Sequence, residues 1–420
     1  MTIDDINGGR FVKTTPKNII VERNVIKPIS AFEVKIEDTT PYITFKANAE
    51  QTLTMSKAVE TLEYSVNSGE WKELVTNTVT FGGNNGDLRL RGKNKYGTSG
   101  NNQTSQIKFS ENTLVSCTGD IRTLVDFENY DTVNTSEAKF ASLFGGCVSL
   151  TTAPKLPATT LADDCYNSMF FGCTNLTTAP ELPATTLTSY CYQYMFRKCS
   201  NLTVAPKLPA TMLAQGCYYG MFYDCKNLTT SPELPATTLA HSCYSGMFMN
   251  CVELIIPPKK LSALTLANNC YFYMFKGCNK LETAPEILAT TVAWQSCGYM
   301  FKDCLSLKTT QECLPATILD YACYEHMFDG CTSLSTAPKL PATKLDTKCY
   351  EHMFYNCNKL NNICMLATDL YDGGGTNSCM LNWVYNVAST GTFTKSKEME
   401  SLSIGPSGIP EGWTIMIMKK

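Results

Sequence analysis

The chain has 420 residues, 44% of them hydrophobic and 17% charged, with a formal net charge of -3. So weak a balance, with no basic stripe, excludes a nucleic-acid face built to neutralise phosphates. No apolar run approaches the roughly 18 residues of a membrane-spanning helix, and the opening Met1-Thr2-Ile3-Asp4-Asp5 has neither the basic start nor the apolar stretch of a secretory signal, so none is expected here.

Residues 1–30 carry scattered charges, Pro16 and Pro28 and little periodicity, which predicts an extended N-terminal arm that docks onto a partner. From 31 to 135 the pattern changes to short alternating runs. These are Phe32-Val34-Ile36, Tyr42-Ile43-Thr44-Phe45, Leu62 to Val66, Thr78 to Phe81 and Leu88 to Arg91, broken by Asn67-Ser68-Gly69 and Gly82-Gly83-Asn84-Asn85-Gly86. Strands of that length with Gly/Asn turns predict a small all-β, immunoglobulin-like sandwich, with Trp71 filling its core.

A nine-residue string, Cys-Tyr-x-x-Met-Phe-x-x-Cys, then takes over. Its second cysteine falls at 147, 173, 199, 225, 251, 278, 304, 331 and 357, a spacing of 26 or 27 residues throughout. Such a period predicts a solenoid, because a unit this small buries its apolar face only against identical neighbours. Cys165, Tyr166, Met169, Phe170 and Cys173 stand at i, i+1, i+4, i+5 and i+8, the apolar stripe of a short helix. The following segment, from Asn175 to Leu187, is rich in threonine and broken by Pro180 and Pro183, so it is extended and turned. The expected architecture is an α/β repeat, a curved solenoid of about nine coils over 136–387, with strands inside the curve and helices roughly 10 Å apart outside it. After Cys357 the pattern decays through Gly373-Gly374-Gly375 to what reads as a degenerate helix at Cys379-Met380-Leu381-Asn382-Trp383-Val384, and 388–420 reads as a terminal cap.

Twenty-one cysteines suggest disulfides or metal at first sight. Eight residues on a helix span about 12 Å, too far for a bridge within one unit, and the spacing lacks the close pairs of zinc sites. Ser296 and Lys139 also occupy the first-cysteine slot in their units, so the thiols are read as small core residues.

Phe170-Phe171-Gly172-Cys173-Thr174-Asn175-Leu176 and the following Pro-x-Leu-Pro resemble the BspA-like (Treponema-type) leucine-rich repeats, over about 139–387. Leu88 to Asn94, Gly119 to Leu124 and Gly408-Ile409-Pro410-Glu411-Gly412-Trp413 look like flanks seen on such proteins of gut Bacteroidetes and their phages. The resemblance implies a leucine-rich-repeat solenoid with a non-enzymatic role in adhesion or in binding host, matrix or glycan. Without a visible leader, a phage virion component, tail or capsid-associated, is the favoured setting; a bacterial surface adhesin is the second and a glycan-active enzyme a remote third.

Three histidines leave little room for acid–base chemistry. His326 and His352 share one repeat slot beside Glu325 and Glu351, where a metal is conceivable but two solvated positions copied by duplication are expected. No catalytic residue, cofactor or metal site is expected. The informative slots are those that vary while the frame stays fixed: Phe171, Tyr194, Tyr219, Tyr223, Phe272, Tyr273, Tyr299 and Tyr355 form a candidate aromatic surface for sugar rings or a protein partner.

Overall fold

The computed structural model describes residues 2–4, 10–12 and 41–418, apart from 58, 76, 84–85, 101–103, 111–112, 371–377 and 400–401. The strand expected at Phe32-Val34-Ile36, most of the arm and the Gly373-Gly374-Gly375 approach lie outside these residues. The chain divides into two units, Met1–Thr40 and Pro41–Lys420. In the first, β1 (Thr2–Asp4) and β2 (Arg10–Val12) pair antiparallel.

The second unit opens with β3 (Ile43–Ala47), β4 (Gln51–Met55), β5 (Leu62–Val66), β6 (Lys72–Glu73), β7 (Thr78–Phe81), β8 (Asp87–Gly92), β9 (Ile107–Phe109) and β10 (Val115–Thr118). They form a five-stranded sheet in the order β10-β3-β8-β5-β6 and a three-stranded sheet in the order β7-β4-β9, antiparallel throughout. Alternation sends Ile43, Phe45, Leu88 and Leu90 of one sheet and Leu53, Val79, Phe81 and Phe109 of the other inward. The sheets meet where Phe45 stands edge-on to Phe109, ring centroids 5.1 Å apart. Trp71, expected in this core, is instead half-buried outside it, between the Arg91 guanidinium 4.1 Å away and the Tyr42 ring, edge-on at 5.0 Å.

The α/β repeat is overturned. Among the described residues there is no α-helix, and the single 3₁₀ turn, Ile121–Leu124, precedes the repeats. The segment read as a helix is a ribbon of linked turns, and its backbone explains why. Asn167, Met169, Phe171 and Cys173 donate their N–H groups three residues back at 3.0–3.1 Å, while Tyr166, Ser168, Phe170 and Gly172 donate across to the carbonyls of Cys191, Gln193, Met195 and Arg197 at 2.8–2.9 Å. A helix keeps every such bond within itself; this ribbon spends alternate donors on the next coil. Coils therefore stack at ring spacings of 5.4–5.7 Å in the phenylalanine column from Phe144 to Phe354, far closer than packed helices. The curvature expected from wide outer helices loses its premise.

The ribbon changes direction through left-handed residues every fourth position, such as Asp164, Ser168 and Gly172 in one coil and Gly216, Gly220 and Asp224 in a later one. On the opposite side successive coils touch through single parallel bridges, Thr178 to Val204 to Thr230 to Ile256 and Thr186 to Met212 to Thr238. Only short strands form there: β11 (Lys260–Leu261) with β12 (Glu286–Ile287), and β13 (Lys344–Leu345) with β15 (Asp369–Leu370). The prolines between the bridges remove the donors a longer ladder needs.

Both ends of the stack are covered from within the same unit. The first coil bonds to the sheets, with Ile107 donating to Leu143 at 2.7 Å, Val115 to Ser149 at 2.9 Å, and the Cys147 thiol to the Ile107 carbonyl. At the other end the degenerate helix expected around Cys379–Val384 is another turn ribbon. Trp383 takes the methionine slot there and faces both Tyr350 at 6.3 Å and Phe354 at 6.0 Å, so one indole terminates two ring columns. β14 (Asn362–Met365), β16 (Thr392–Lys395) and β17 (Thr414–Ile417) complete that end as a parallel sheet.

Candidate interaction face

Each ribbon presents two outward steps. Asn167 and Ser168 stand between the buried pairs Cys165-Tyr166 and Met169-Phe170, and Phe171 and Gly172 stand before the buried Cys173. The second residue of each step has positive φ, as at Ser168 (55°), Tyr194 (53°), Tyr273 (58°), Tyr299 (57°), His326 (52°) and His352 (52°). That conformation excludes β-branched residues but leaves the outer side chain free to vary.

The eight aromatic candidates fall into two groups. In the first, Arg197 sits among Phe171, Tyr194 and Tyr223, its guanidinium carbon 5.5, 5.0 and 4.4 Å from the three ring centroids, while Tyr219 stands edge-on to Tyr194 at 5.2 Å. The Tyr194 ring lies over Gly220, where a Cβ would come within 2.4 Å of it. Burial pushes the Tyr194 hydroxyl up to about 12. The second group begins with Phe272 and Tyr273, 4.1 Å apart, which both contact Tyr299. Between the two groups the coil carries Ser245 and Gly246, and a Cβ on Gly246 would meet nothing within 4 Å.

From Tyr299 the aromatic row continues where it was not expected. His326 stacks on Tyr299 at 4.4 Å and His352 stacks on His326 at 4.5 Å, so these imidazoles are half-buried ring partners rather than solvated copies. Tyr355 closes the row edge-on to His352 at 5.1 Å and parallel to Tyr385 at 4.8 Å. Beneath it lie buried acids. Glu325 accepts hydrogen bonds from Gln295 Nε2 at 3.2 Å and Tyr299 Oη at 3.4 Å. Asp329 pairs with Lys302 Nζ and His326 Nδ1; burial pushes its carboxyl up, but those two partners outweigh it and hold it below the ordinary range. Burial, then the neighbouring His326, pushes His352 below the usual imidazole value. Burial, then Glu325, pushes the Tyr299 hydroxyl up. Among the described residues no group of three or more His, Cys, Asp or Glu side chains gathers as a metal site.

Sequence reading missed Arg197, His326, His352 and Tyr385 as members of this face. All four stand in the outer slots that the candidate aromatics occupy in other coils. Arg197, His326 and His352 carry no aromatic letter of the Phe/Tyr kind that marks these columns, and Tyr385 lies where the repeat pattern has decayed.

The cysteines face the other way. None of the 21 forms a disulfide, and Cys173, Cys199, Cys225, Cys251, Cys278, Cys304, Cys331 and Cys357 each donate Sγ–H to the phenylalanine carbonyl of the preceding coil at 3.0–3.1 Å. No helix among the described residues is long and apolar enough to cross a membrane.

Fold and face together define a tandem-repeat protein of stacked turn coils with a variable outer surface. No family model matches the chain, and neither does any curated protein. Among solved structures it is similar to a leucine-rich repeat protein from Bacteroides ovatus, at 14% identity and a TM-score of 0.34, over 66% of this chain and 77% of that one.

Proposed function

We propose that the chain is a non-catalytic binding protein that presents its outer turn face to a glycan or protein on a host or neighbouring cell. The observation that carries this reading is the set of half-exposed rings, Phe171, Tyr194, Tyr219 and Tyr223 in one group and Phe272, Tyr273 and Tyr299 in the other, at slots the stacked core leaves free. Rings held on a hydrogen-bonded frame lose little conformational freedom when a partner arrives, which favours recognition.

The setting we favour is a phage virion, as a tail or capsid-associated component. Twenty-one thiols, none in a disulfide, suit folding in a reducing cytoplasm, where virion parts are assembled. A bacterial surface adhesin is the outcome to be distinguished from it.

The test is binding of the full chain to a glycan array and to intact bacterial and host cells, compared with the triple variant Tyr219→Ala, Tyr273→Ala and Tyr299→Ala. Loss of binding with an unchanged melting curve is expected; equal binding by the variant removes the reading. Antibodies raised against the chain separate the two settings by decorating either purified virions or the bacterial surface.

A further inference from the structure

The first aromatic group contains an uncompensated charge on the outer face. Arg197 takes part in no ion pair among the described residues, and no hydrogen bond from its terminal nitrogens to a described residue forms. Its Nε is buried without an acceptor. Lys198 beside it is exposed and likewise unpaired, with its Nζ 5.9 Å from the Phe171 ring. The carboxylate one coil further on, Asp224, accepts from Asn250 Nδ2 at 3.2 Å instead of joining either cation.

Three rings surround one guanidinium here, Phe171 from the preceding coil, Tyr194 from the same coil and Tyr223 from the next, all within 5.5 Å of its central carbon. Rings hold the cation by their π-faces and take none of its N–H donors, so the terminal donors stay available to an acceptor that matches their planar fork. A carboxylate matches that fork in bidentate fashion. The flat rings beside it favour a ligand with an apolar face next to its carboxylate, and a uronic acid is built that way: its carboxylate is attached directly to a pyranose ring whose C–H face stacks on an aromatic. An acidic peptide offers the carboxylate on a flexible stem without the face.

We propose that Arg197, with Phe171, Tyr194 and Tyr223, forms a subsite for a uronic-acid residue of an anionic polysaccharide, with Lys198 adding attraction. This rests on the reading of the outer face as a recognition surface and narrows its ligand to a carboxylated sugar. Plant-type galacturonans and glucuronate-containing matrix glycans share that chemistry.

The experiment is calorimetric titration of the full chain with tetragalacturonate, a hyaluronan tetrasaccharide, neutral galactotetraose and a tetraglutamate peptide. Binding of at least one uronate is expected, weakened by added salt. Arg197→Gln should lower its affinity by about tenfold or more, and Arg197→Lys, which keeps the charge and loses the fork, by most of that. Ile256→Ala, exposed on the bridge side of the stack, should leave it unchanged. Which uronate binds tells plant-type from matrix source. The proposal is overturned by uronate affinity that survives Arg197→Gln, by tetraglutamate binding as tightly as the sugars, or by no uronate binding at all. If uronates fail while array or cell binding persists and is lost in the tyrosine triple variant, the wider reading stands without this one; if nothing binds either group, both fall. Melting curves of the two Arg197 variants establish that they are folded.

Discussion

Cysteine rather than alanine fills the corner after each ribbon because the corner contains an acceptor. The Phe170 carbonyl already takes the Cys173 N–H at 3.1 Å, and the Cys199 thiol from the next coil reaches its remaining lone pair at 3.1 Å. Each such contact is weak, yet it recurs in every coil and ties neighbours together without a disulfide. Burial pushes these thiols well up, as at Cys173 and Cys199, so the thiolate that reacts with disulfide reagents hardly forms. Two differ: Cys313 and Cys364 are only partly buried on the bridge side. Titration of the native chain with a chromogenic disulfide reagent should therefore release two equivalents promptly and the other nineteen only after denaturation. Prompt release from most of the thiols would contradict a sealed core. The packing role was legible in the sequence at the other cysteine slot, the first in each unit, where Ser296 and Lys139 stand and which a bridge or a metal ligand does not tolerate. The acceptor was not, since it belongs to a residue 29 positions away in the chain.

At the scale of the ribbon, apolar residues at i, i+1, i+4, i+5 and i+8 fit a helix of period 3.6 and a chain of turns of period four about equally over two turns. The sequence does carry the distinction elsewhere. Many left-handed positions hold Gly, Asn, Asp or Ser, as at Ser168, Gly172, Gly220, Asp224, Gly246, Asn250 and Asn356; others hold Tyr, His, Lys, Gln or Ala, and no β-branched residue except Thr61, before the repeats, stands among the described residues with positive φ. That column, read for Gly, Asn and Asp every fourth residue, marks turns. Glycine has two separable reasons to be there. Gly220 (φ 56°) lies under the Tyr194 ring, whereas Gly246 (φ 59°) faces open space. Gly246→Ala should cost only the backbone strain, about 1 kcal/mol. Gly220→Ala should cost about 2–3 kcal/mol, because the ring must also move. In a Tyr194→Ala background the cost at Gly220 should fall to that at Gly246, a double-mutant cycle read by chemical denaturation. Equal costs for the two glycines in the native background would show that the ring does not press on the coil below.

For the whole stack, the repeat spacing was the most legible property, and it has a mechanical consequence. Ring separations of 5.6, 5.7 and 5.6 Å link Phe170 to Phe196 to Phe222 to Phe248, with interplanar angles of 2°, 9° and 5°, so each coil meets its neighbours through nearly the same geometry. What the spacing left unreadable was how the series ends, because Trp383 and the β9 and β10 edges break the pattern they close. If stability is a sum over coils and their interfaces, excision of residues 200–225 should join Cys199 to Lys226, place Phe248 on Phe196 and keep every slot in register. Such a chain should fold with both ends intact and melt cooperatively only a few degrees lower, with a denaturant dependence reduced in proportion to the surface lost. Excision of 200–212 alone should abolish the cooperative transition, since half a coil puts the extended segment where the next ribbon needs its donors. Circular dichroism melts of the two deletions decide the matter: if the full-coil deletion unfolds like the half-coil one, the coils are not interchangeable, and particular neighbours rather than a repeated interface hold the stack together.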